Sequence, residues 1–173
     1  MTATLGPFPL ERMMNAVEKV RLRLHKAATV LRAANVPYAV VGRNAVTLWV
    51  SRVDESAVRA TRDVDVLLRR SDFDAARTAL ESAGFVYRHV TGIDVFLDSP
   101  QAKPHDAVHI IYANEKVRAD EPIANPDVNE SEDAGSYPVI GLEALVRIKL
   151  TANRDNHRTH LRDMIGVGLI DAS

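Results

Sequence analysis

Two aspartates, Asp63 and Asp65, stand two residues apart in a stretch that alternates between polar and apolar side chains. On a β-strand, residues at this spacing point to the same face, so both carboxylates lie together while Val64, Val66 and Leu68 face an apolar interior. Two like charges this close repel each other and resist burial. A hard divalent cation such as Mg2+ removes that repulsion and keeps positions open for phosphate and water. We therefore predict a metal site at Asp63 and Asp65, with a solvated acidic edge strand as the alternative.

A strand–glycine–helix transition precedes the two aspartates. The apolar run Tyr38–Val41 predicts a buried strand, Gly42 ends it, and a helix is expected over residues 44–50. The N-terminus of a helix presents unpaired N–H groups and partial positive charge, which suit phosphate, and glycine lets the backbone approach an anion closely. Arg43 can add a forked phosphate donor, and Asn44 can cap the helix. An ordinary tight turn is the alternative interpretation.

Periodicity predicts the elements that position these residues. Apolar side chains recur at steps of three and four over about residues 10–35, which indicates an amphipathic N-terminal helix. The elements expected further along are the Asp63 strand, a helix over 73–83, a strand region over 85–97 with a turn near Thr91 and Gly92, a strand over 107–112, and helices over 141–151 and 159–166. Residues 119–138 are rich in proline and acidic side chains, and we expect a long irregular excursion there.

This order of elements is typical of an α/β (α+β) domain in which helices flank a mixed sheet. We predict one domain over residues 1–173, with a core over about 36–112 and a C-terminal helical region over about 139–166. Apolar residues make up 46% of the chain and charged residues 26%, and the formal net charge is -1, so no global charge attracts nucleic acid or membrane.

The absence of cysteine excludes disulfides, thiolate zinc sites and a cysteine nucleophile. The sequence shows no signal-peptide pattern and no apolar run of membrane-spanning length. We expect a soluble, cytoplasmic protein with no membrane partner.

Three segments together resemble the nucleotidyltransferase superfamily that includes DNA polymerase beta: Val41-Gly-Arg-Asn-Ala, Arg59-Ala-Thr and Asp63-Val-Asp-Val-Leu-Leu. The resemblance is closest to the small bacterial AbiEii and minimal-nucleotidyltransferase branch. It covers roughly residues 36–112, with weaker support from residues 142–149 and 160–163. It implies a nucleotidyltransferase-like mixed sheet, Mg2+ or Mn2+ ions on Asp63 and Asp65, and an NTP whose phosphates lie against the turn formed by Gly42, Arg43 and Asn44.

The chain departs from that family at two positions. The second small residue of the turn is Arg43, which would either crowd the phosphates or grip them. The third carboxylate of the family, expected on the later strand, is replaced by His109. This histidine could be a base, a softer metal ligand, a structural residue or a sign of lost catalysis. Three other carboxylates are open alternatives for the third acidic position: Asp94, Asp98 and Asp106.

Several residues near the C-terminus also have two interpretations. Lys149 could reach a nucleotide phosphate, or it could be an exposed helical lysine. The basic segment 154–162 could contact nucleic acid, or it could be a solvated loop and helix start. His157 and His160 have a spacing compatible with a metal site, but no third ligand is evident and we do not predict zinc. Trp49 is expected to pack its helix on the sheet.

The leading functional hypothesis is a metal-dependent nucleotidyltransferase that transfers a nucleotidyl group from an NTP to a hydroxyl or phosphate acceptor. That acceptor could be a small molecule, a protein side chain or an RNA end. The alternative is a catalytically degenerate nucleotide-binding or regulatory module of toxin–antitoxin type, with a partner protein from a two-gene module, and Arg43 and His109 favour it. A third hypothesis, a phosphohydrolase with Asp63 as nucleophile, lacks the accompanying Ser, Thr and Lys motifs.

Overall fold

The computed structural model of the chain describes residues 9–59, 61–152 and 154–171, so Ala60 of the Arg59-Ala-Thr motif lies outside it. The helices are α1 (Pro9–Ala33), α2 (Gly42–Ser51), α3 (Phe73–Ser82), α4 (Leu142–Ala152) and α5 (Asp155–Gly166). The strands are β1 (Tyr38–Val41), β2 (Val64–Leu68), β3 (Val86–Val90), β4 (Ile93–Leu97), β5 (Ala107–Tyr112), β6 (Ser131–Asp133) and β7 (Pro138–Ile140). None of these helices is long and apolar enough to cross a membrane.

The described strands form one mixed sheet in the order β3-β4-β5-β2-β1-β7-β6. Near its centre, β2 pairs antiparallel with β1 and parallel with β5. In this register Asp65 lies opposite Val41 on β1 and opposite His109 on β5. Because residues directly opposite each other point to the same face, the histidine and the aspartate share one side of the sheet. Gly42, which follows Val41, lies at the same edge.

Helices cover both faces of the sheet. One face packs against α1 and α3 around a core that includes Leu31, Val66, Leu68, Leu80 and Phe96. The other packs against α2, α4 and α5 around a core that includes Val41, Val50, Leu67, Leu145 and Met164. Residues alternate between these two faces along β2, so Asp65 points to the side of α2, α4 and α5. The expected α/β (α+β) architecture with a mixed sheet and flanking helices is confirmed.

The strand region 85–97 is a hairpin of β3 and β4. Its turn residues Thr91 and Gly92 both have positive φ, 51° and 79°, as a tight two-residue hairpin turn requires. The predicted turn is therefore confirmed. Trp49 also packs α2 on the sheet as expected, and its indole N–H donates to the Ile140 carbonyl at 3.1 Å.

The prediction of an irregular excursion over residues 119–138 is wrong in part. Strands β6 and β7 occupy its end, and β7 extends the sheet by pairing parallel with β1. Pro138 stands at the first position of β7, where a strand tolerates a residue without an N–H donor. Val139 and Ile140, which we assigned to the C-terminal helical region, are fully buried strand residues.

Two helices also begin earlier than the sequence pattern predicts. Helix α2 begins at Gly42 rather than residue 44, and α5 begins at Asp155 rather than residue 159. Asp155 lies in the first turn of α5, where its negative charge favours the helix N-terminus.

A buried arginine connects α1 to the segment that leads into β2. Arg23 is only 7% exposed. Its Nε donates to Asp98 Oδ2 at 2.7 Å, and its Nη1 donates to the Arg62 carbonyl at 2.8 Å. Arg62 immediately precedes Asp63, so this contact fixes the backbone from which the first aspartate projects.

Replacement of Arg23 by methionine tests this connection. The Arg23→Met variant leaves the Asp98 carboxylate and the Arg62 carbonyl without their donor, and we expect the free energy of unfolding to fall by about 2 kcal/mol. Urea denaturation measures the loss. Arg21→Met is the matched control on the same helix, because Arg21 is exposed and bonds Glu18 one turn away. Equal losses in the two variants would contradict the role given to Arg23.

Candidate functional site

Gly42 allows the Asp65 carboxylate to lie against the start of α2. The glycine has a φ of +65°, and a Cβ atom on it would overlap Oδ2 of Asp65. Any other residue would therefore meet both backbone strain and a steric clash. The structure thus brings the predicted turn and the predicted metal ligand into direct contact.

Asn44 does not cap α2, so that part of the prediction is wrong. The N-cap residue is Val41, which provides no side-chain hydrogen bond. Instead, Asn44 is buried and its Nδ2 donates to the Asp63 carbonyl at 2.8 Å. It lies one turn too deep in the helix to act as a cap, because α2 begins two residues earlier than predicted. Asn44 holds the start of β2 against α2.

Asp63 is fixed by its own sequence neighbourhood. Thr61 Oγ1 donates to Asp63 Oδ1 at 2.7 Å, which leaves Oδ2 facing the site. The side chain of Asp63 is 39% exposed and that of Asp65 is 19% exposed. Both carboxylates are therefore partly accessible to solvent, and a hydrogen bond from Thr61 orients that of Asp63.

His109 completes a cluster of three acceptor atoms. Its Nε2 lies 2.7 Å from the Pro104 carbonyl, which can only accept, so Nε2 carries the proton. Its Nδ1 lies 3.6 Å from Asp65 Oδ1 and 3.9 Å from Asp63 Oδ2. In the neutral ring the Nδ1 lone pair faces two carboxylates, an arrangement that either a proton on Nδ1 or a metal cation between the three groups stabilises. Asp65 accordingly raises the pKa of His109, against the opposing effect of burial.

The donor set fits a divalent metal ion. One ligand atom from each of Asp63, Asp65 and His109 can be chosen so that all lie within 4.8 Å of one another. Two carboxylates and an imidazole are ordinary metal ligands. A ligating histidine characteristically donates its other N–H to a carbonyl or carboxylate, as His109 does to Pro104. The same cluster could instead hold a proton on Nδ1.

The other carboxylates considered for the third position do not join this cluster within the described residues. Asp94 accepts hydrogen bonds from Tyr87 at 2.8 Å, Tyr112 at 2.6 Å and His89 at 2.8 Å. The remaining two lie elsewhere, Asp98 on Arg23 and Asp106 beside His105.

Lys149 is buried, so the interpretation as an exposed helical lysine is wrong. It is 4% exposed, on the inner face of α4. Burial lowers the pKa of Lys149 to about 8, while the charges of Asp65 and Asp63 act in the opposite direction. Together with Gly42 and Asp65 it lines two cavities beside the cluster formed by Asp63, Asp65 and His109. The structure therefore places a buried cation in the same cavity walls as Asp65.

His157 and His160, whose spacing is compatible with a metal site but for which zinc was not predicted, line one cavity together with Asp65 and Lys149. They stand one turn apart on α5, with ring centroids 6.4 Å apart. An ion pair of 3.1 Å between Arg59 and Asp163 holds α5 over this region. His160 is 6% exposed, and neither of its ring nitrogens has a hydrogen-bond partner among the described residues. The sequence signal for this placement was Asp155, because an acidic residue is typical of the first turn of a helix. A helix that begins there includes both histidines, and their spacing of three residues places them on one face.

Two cavities of about 430 Å³ each open on either side of Asp65. The first, here called the α5-side cavity, is lined by Gly42, Arg43, Thr61, Arg62, Asp63, Asp65, Lys149, Asn156, His157 and His160. The second, the β4-side cavity, extends over β5 and the start of β4 and includes His109 and Asp94. The two share Gly42, Asp65, Lys149 and His157 in their walls. Of the predicted site residues, Arg43 lines only the α5-side cavity and His109 lines only the β4-side cavity.

The contact between Gly42 and Asp65 predicts a selective effect of an added methyl group. We expect Gly42→Ala to displace the Asp65 carboxylate and weaken Mn2+ binding at least tenfold, measured by calorimetric titration. Gly92→Ala is the matched control, because Gly92 also has positive φ but a Cβ atom on it would meet nothing within 4 Å. Both variants lose stability from backbone strain. Equal Mn2+ affinities in the two variants would contradict the proposed geometry.

The burial of His160 predicts an acid-sensitive stability. Burial, followed by the charges of Lys149 and Arg43, lowers the pKa of His160 to about 3, whereas an unfolded histidine titrates near 6.5. The unfolded chain therefore binds the extra proton between these values. Its contribution to stability is complete above about pH 6.5 and is lost as the pH falls toward 3, at roughly 1 kcal/mol per pH unit.

Urea denaturation between pH 7 and pH 4.5 checks this slope. We expect His160→Phe to reduce it by about one proton equivalent. His105→Phe is the control, since the His105 side chain is 54% exposed. An unchanged slope in His160→Phe would show that His160 is not the group responsible.

Several solved structures share this arrangement of elements. The solution structure of the antibiotic-resistance factor ANT(2'')-Ia matches with a TM-score of 0.57 and 17% identity, over 89% of this chain and 86% of that one. The crystal structure of ANT(2'')-Ia in complex with adenylyl-2''-tobramycin matches with a TM-score of 0.58 and 17% identity, over 88% and 91%.

An antigenic nucleotidyltransferase-like protein from Paracoccidioides brasiliensis matches with a TM-score of 0.52 and 17% identity, over 88% of this chain and 76% of that chain. No protein-family profile matches the sequence, and no curated protein matches it. At these identities the likeness concerns the fold. The chain has a nucleotidyltransferase-like fold.

Proposed function

We propose that this chain is a metal-dependent nucleotidyltransferase that transfers a nucleotidyl group from an NTP to an acceptor hydroxyl. The observation that carries this proposal is the convergence of Asp63, Asp65 and His109 beside the Gly42 turn. The shared fold of the solved nucleotidyltransferases supports the same reaction class. We propose a hydroxyl acceptor over a phosphate acceptor, because a phosphate would bring a further negative charge to the two aspartates.

Asp63 and Asp65 would hold the metal, Mg2+ or Mn2+. When bound, such an ion neutralises phosphate charge and stabilises the attacking and leaving oxygens of an in-line displacement. Nδ1 of His109 would serve either as a third ligand or as the base for the acceptor hydroxyl. An imidazole is a softer ligand than a carboxylate, so we expect Mn2+ to bind more tightly than Mg2+.

The residues around Asp63, Asp65 and His109 would bind and orient the triphosphate. The unpaired N–H groups at the start of α2 suit phosphate oxygens, and Gly42 leaves room for close approach. Lys149 supplies a buried positive charge on the same side. With a pKa of about 8 it keeps its proton at neutral pH. Arg43 lines this cavity as well and is suited to gripping the phosphates.

In the transfer step, the acceptor oxygen would form a bond to the α-phosphorus while the bond from that phosphorus to the pyrophosphate oxygen breaks. Pyrophosphate leaves with the bonding electrons. The hydroxyl proton passes to Nδ1 of His109 when that atom is the base, or to water when it is a ligand. Both roles need Nδ1 without a proton, and in the neutral ring the hydrogen bond from Nε2 to the Pro104 carbonyl fixes the tautomer that has the lone pair on Nδ1.

A second candidate function is a nucleotide-binding or regulatory module without catalysis. Arg43 favours it, because a large side chain replaces a small residue at the turn and lines the cavity for the phosphates. Membership of the AbiEii-type branch and a toxin–antitoxin partner would accompany this function and remain predictions. Such a module would bind nucleotide and metal but release no pyrophosphate with any acceptor.

Titration of ATP, GTP, CTP and UTP with Mg2+ or Mn2+ tests the proposal. We expect metal-dependent binding by the wild type and a loss of at least tenfold in Asp63→Asn and in Asp65→Asn. Asp106→Asn is the matched control, since Asp106 lies outside the cluster. Absence of metal-dependent nucleotide binding by the wild type would refute the proposed function. Binding without pyrophosphate release across a broad acceptor panel would favour the regulatory module.

A further inference from the structure

The β4-side cavity lies on the side from which an acceptor hydroxyl would approach Asp63, Asp65 and His109. The Gly42 turn is on the β1 side of Asp65, whereas His109 is on the β5 side. A triphosphate bound at the start of α2 would occupy the first of these sides. In an in-line displacement the attacking oxygen enters opposite the leaving group, and therefore from the side of β5 and β4.

The acidic side chains that line this cavity away from Asp65 already have cationic or hydroxyl partners. Glu115 accepts two hydrogen bonds from Arg70, each of 2.7 Å. Glu121 accepts one from Arg154 at 3.0 Å. Asp94 accepts from two tyrosine hydroxyls and from a histidine ring.

Four acidic side chains line the cavity (Asp65, Asp94, Glu115 and Glu121), and so do four basic ones (Arg70, Lys116, Lys149 and Arg154), so their formal charges balance. A polycationic ligand would have to compete with Arg70 and Arg154 for their carboxylates. A polyanionic ligand such as an RNA end needs an excess of available cations, whereas two of the four basic side chains, Arg70 and Arg154, are already paired. Ion pairs of this kind therefore disfavour both classes of acceptor.

Exposed aliphatic side chains surround the same cavity. Ile93 is 46% exposed, Val117 57% and Ile123 40%. Ile111 and Ile148 also line the cavity. Clustering of exposed apolar side chains around one concave site marks a surface that a ligand covers. The volume of about 430 Å³ suits a small molecule.

We propose that the β4-side cavity binds the acceptor, and that the acceptor is a small uncharged hydroxyl compound with an apolar portion. This inference rests on the proposed nucleotidyl transfer. The hydroxyl would point toward His109 and Asp65, and the apolar portion would cover Ile93, Val117 and Ile123. The acceptor would thus differ in charge from the aminoglycoside tobramycin, whose adenylyl derivative is bound in one structure with this fold.

A series of uncharged probes tests the chemical class. We would titrate β-D-glucosides from methyl to hexyl into the full chain saturated with Mn2+ and a non-hydrolysable NTP analogue. If the apolar wall contacts the alkyl group, affinity rises about two- to fourfold with each added methylene. We expect tobramycin and a short RNA oligonucleotide to bind more weakly than hexyl glucoside. Tighter binding of either one, or a flat glucoside series, would overturn the proposal.

Variants of the apolar wall test the location. We expect Ile123→Ser and Val117→Ser each to weaken hexyl glucoside binding at least threefold while the Kd for the NTP analogue stays unchanged. Val53→Ser is the matched control, because Val53 is 55% exposed and lies outside the cavity. A weaker Kd for the NTP analogue in Ile123→Ser would show that the cavity holds the nucleotide, and the proposal would then be wrong.

Release of a paired carboxylate gives a complementary test. Arg154→Gln frees Glu121, and we expect tobramycin to bind at least threefold more tightly than to the wild type. Arg52→Gln, which breaks the ion pair to Glu132 elsewhere on the surface, is the control. Unchanged tobramycin binding in Arg154→Gln would contradict the charge argument.

Failure of this inference can be separated from failure of the proposed function. If the wild type binds no NTP, the proposed function fails, and glucoside titration without nucleotide still reports on the cavity. If the wild type binds NTP with metal but no glucoside, the inference about the acceptor fails alone.

Discussion

The pairing of β2 with its two neighbours is the constraint on which the rest of the site depends. An antiparallel β1 on one side and a parallel β5 on the other place Asp65 opposite both Val41 and His109. A shift of one residue would turn both aspartates into the apolar face occupied by Val66 and Leu68. The register is secured because Val64 and Val66, which alternate with the aspartates, are almost completely buried.

This register brings together ionisable side chains whose proximity is energetically unfavourable. Two carboxylates and an imidazole nitrogen converge within 4.8 Å of one another, and a buried ammonium lines the same cavity as both aspartates. Folding gains little from such an arrangement, because the two carboxylates repel each other and Asp65, His109 and Lys149 are largely shielded from water. Local conflicts of this kind characteristically mark functional positions. Asn44, Thr61 and Pro104 hold the converging groups in place through hydrogen bonds to the Asp63 backbone, the Asp63 carboxylate and the His109 ring, respectively.

The sequence was informative where local rules decide the structure. The spacing of Asp63 and Asp65, the apolar run before Gly42 and the Thr91 turn depend on strand alternation and backbone freedom, and they were predicted. Strands β6 and β7 were missed because such short segments are strands only through their pairing with β1. The burial of Lys149 and His160 depends on how α4 and α5 pack on the sheet, and periodicity does not show which charged residue a neighbouring helix covers. The functional roles of the clustered residues remain predictions.

Helix α1 connects an exposed part of the surface, its residues 11–19, to the backbone beside Asp63. Its residues 11–19 are exposed, whereas Arg23 in the next turns is buried and donates to the Arg62 carbonyl. A helix is stiff over this length, so a tilt of the exposed half moves the guanidinium group that holds the backbone beside Asp63. A contact that tilts the exposed part of α1 would therefore shift the backbone beside Asp63 without reaching either cavity.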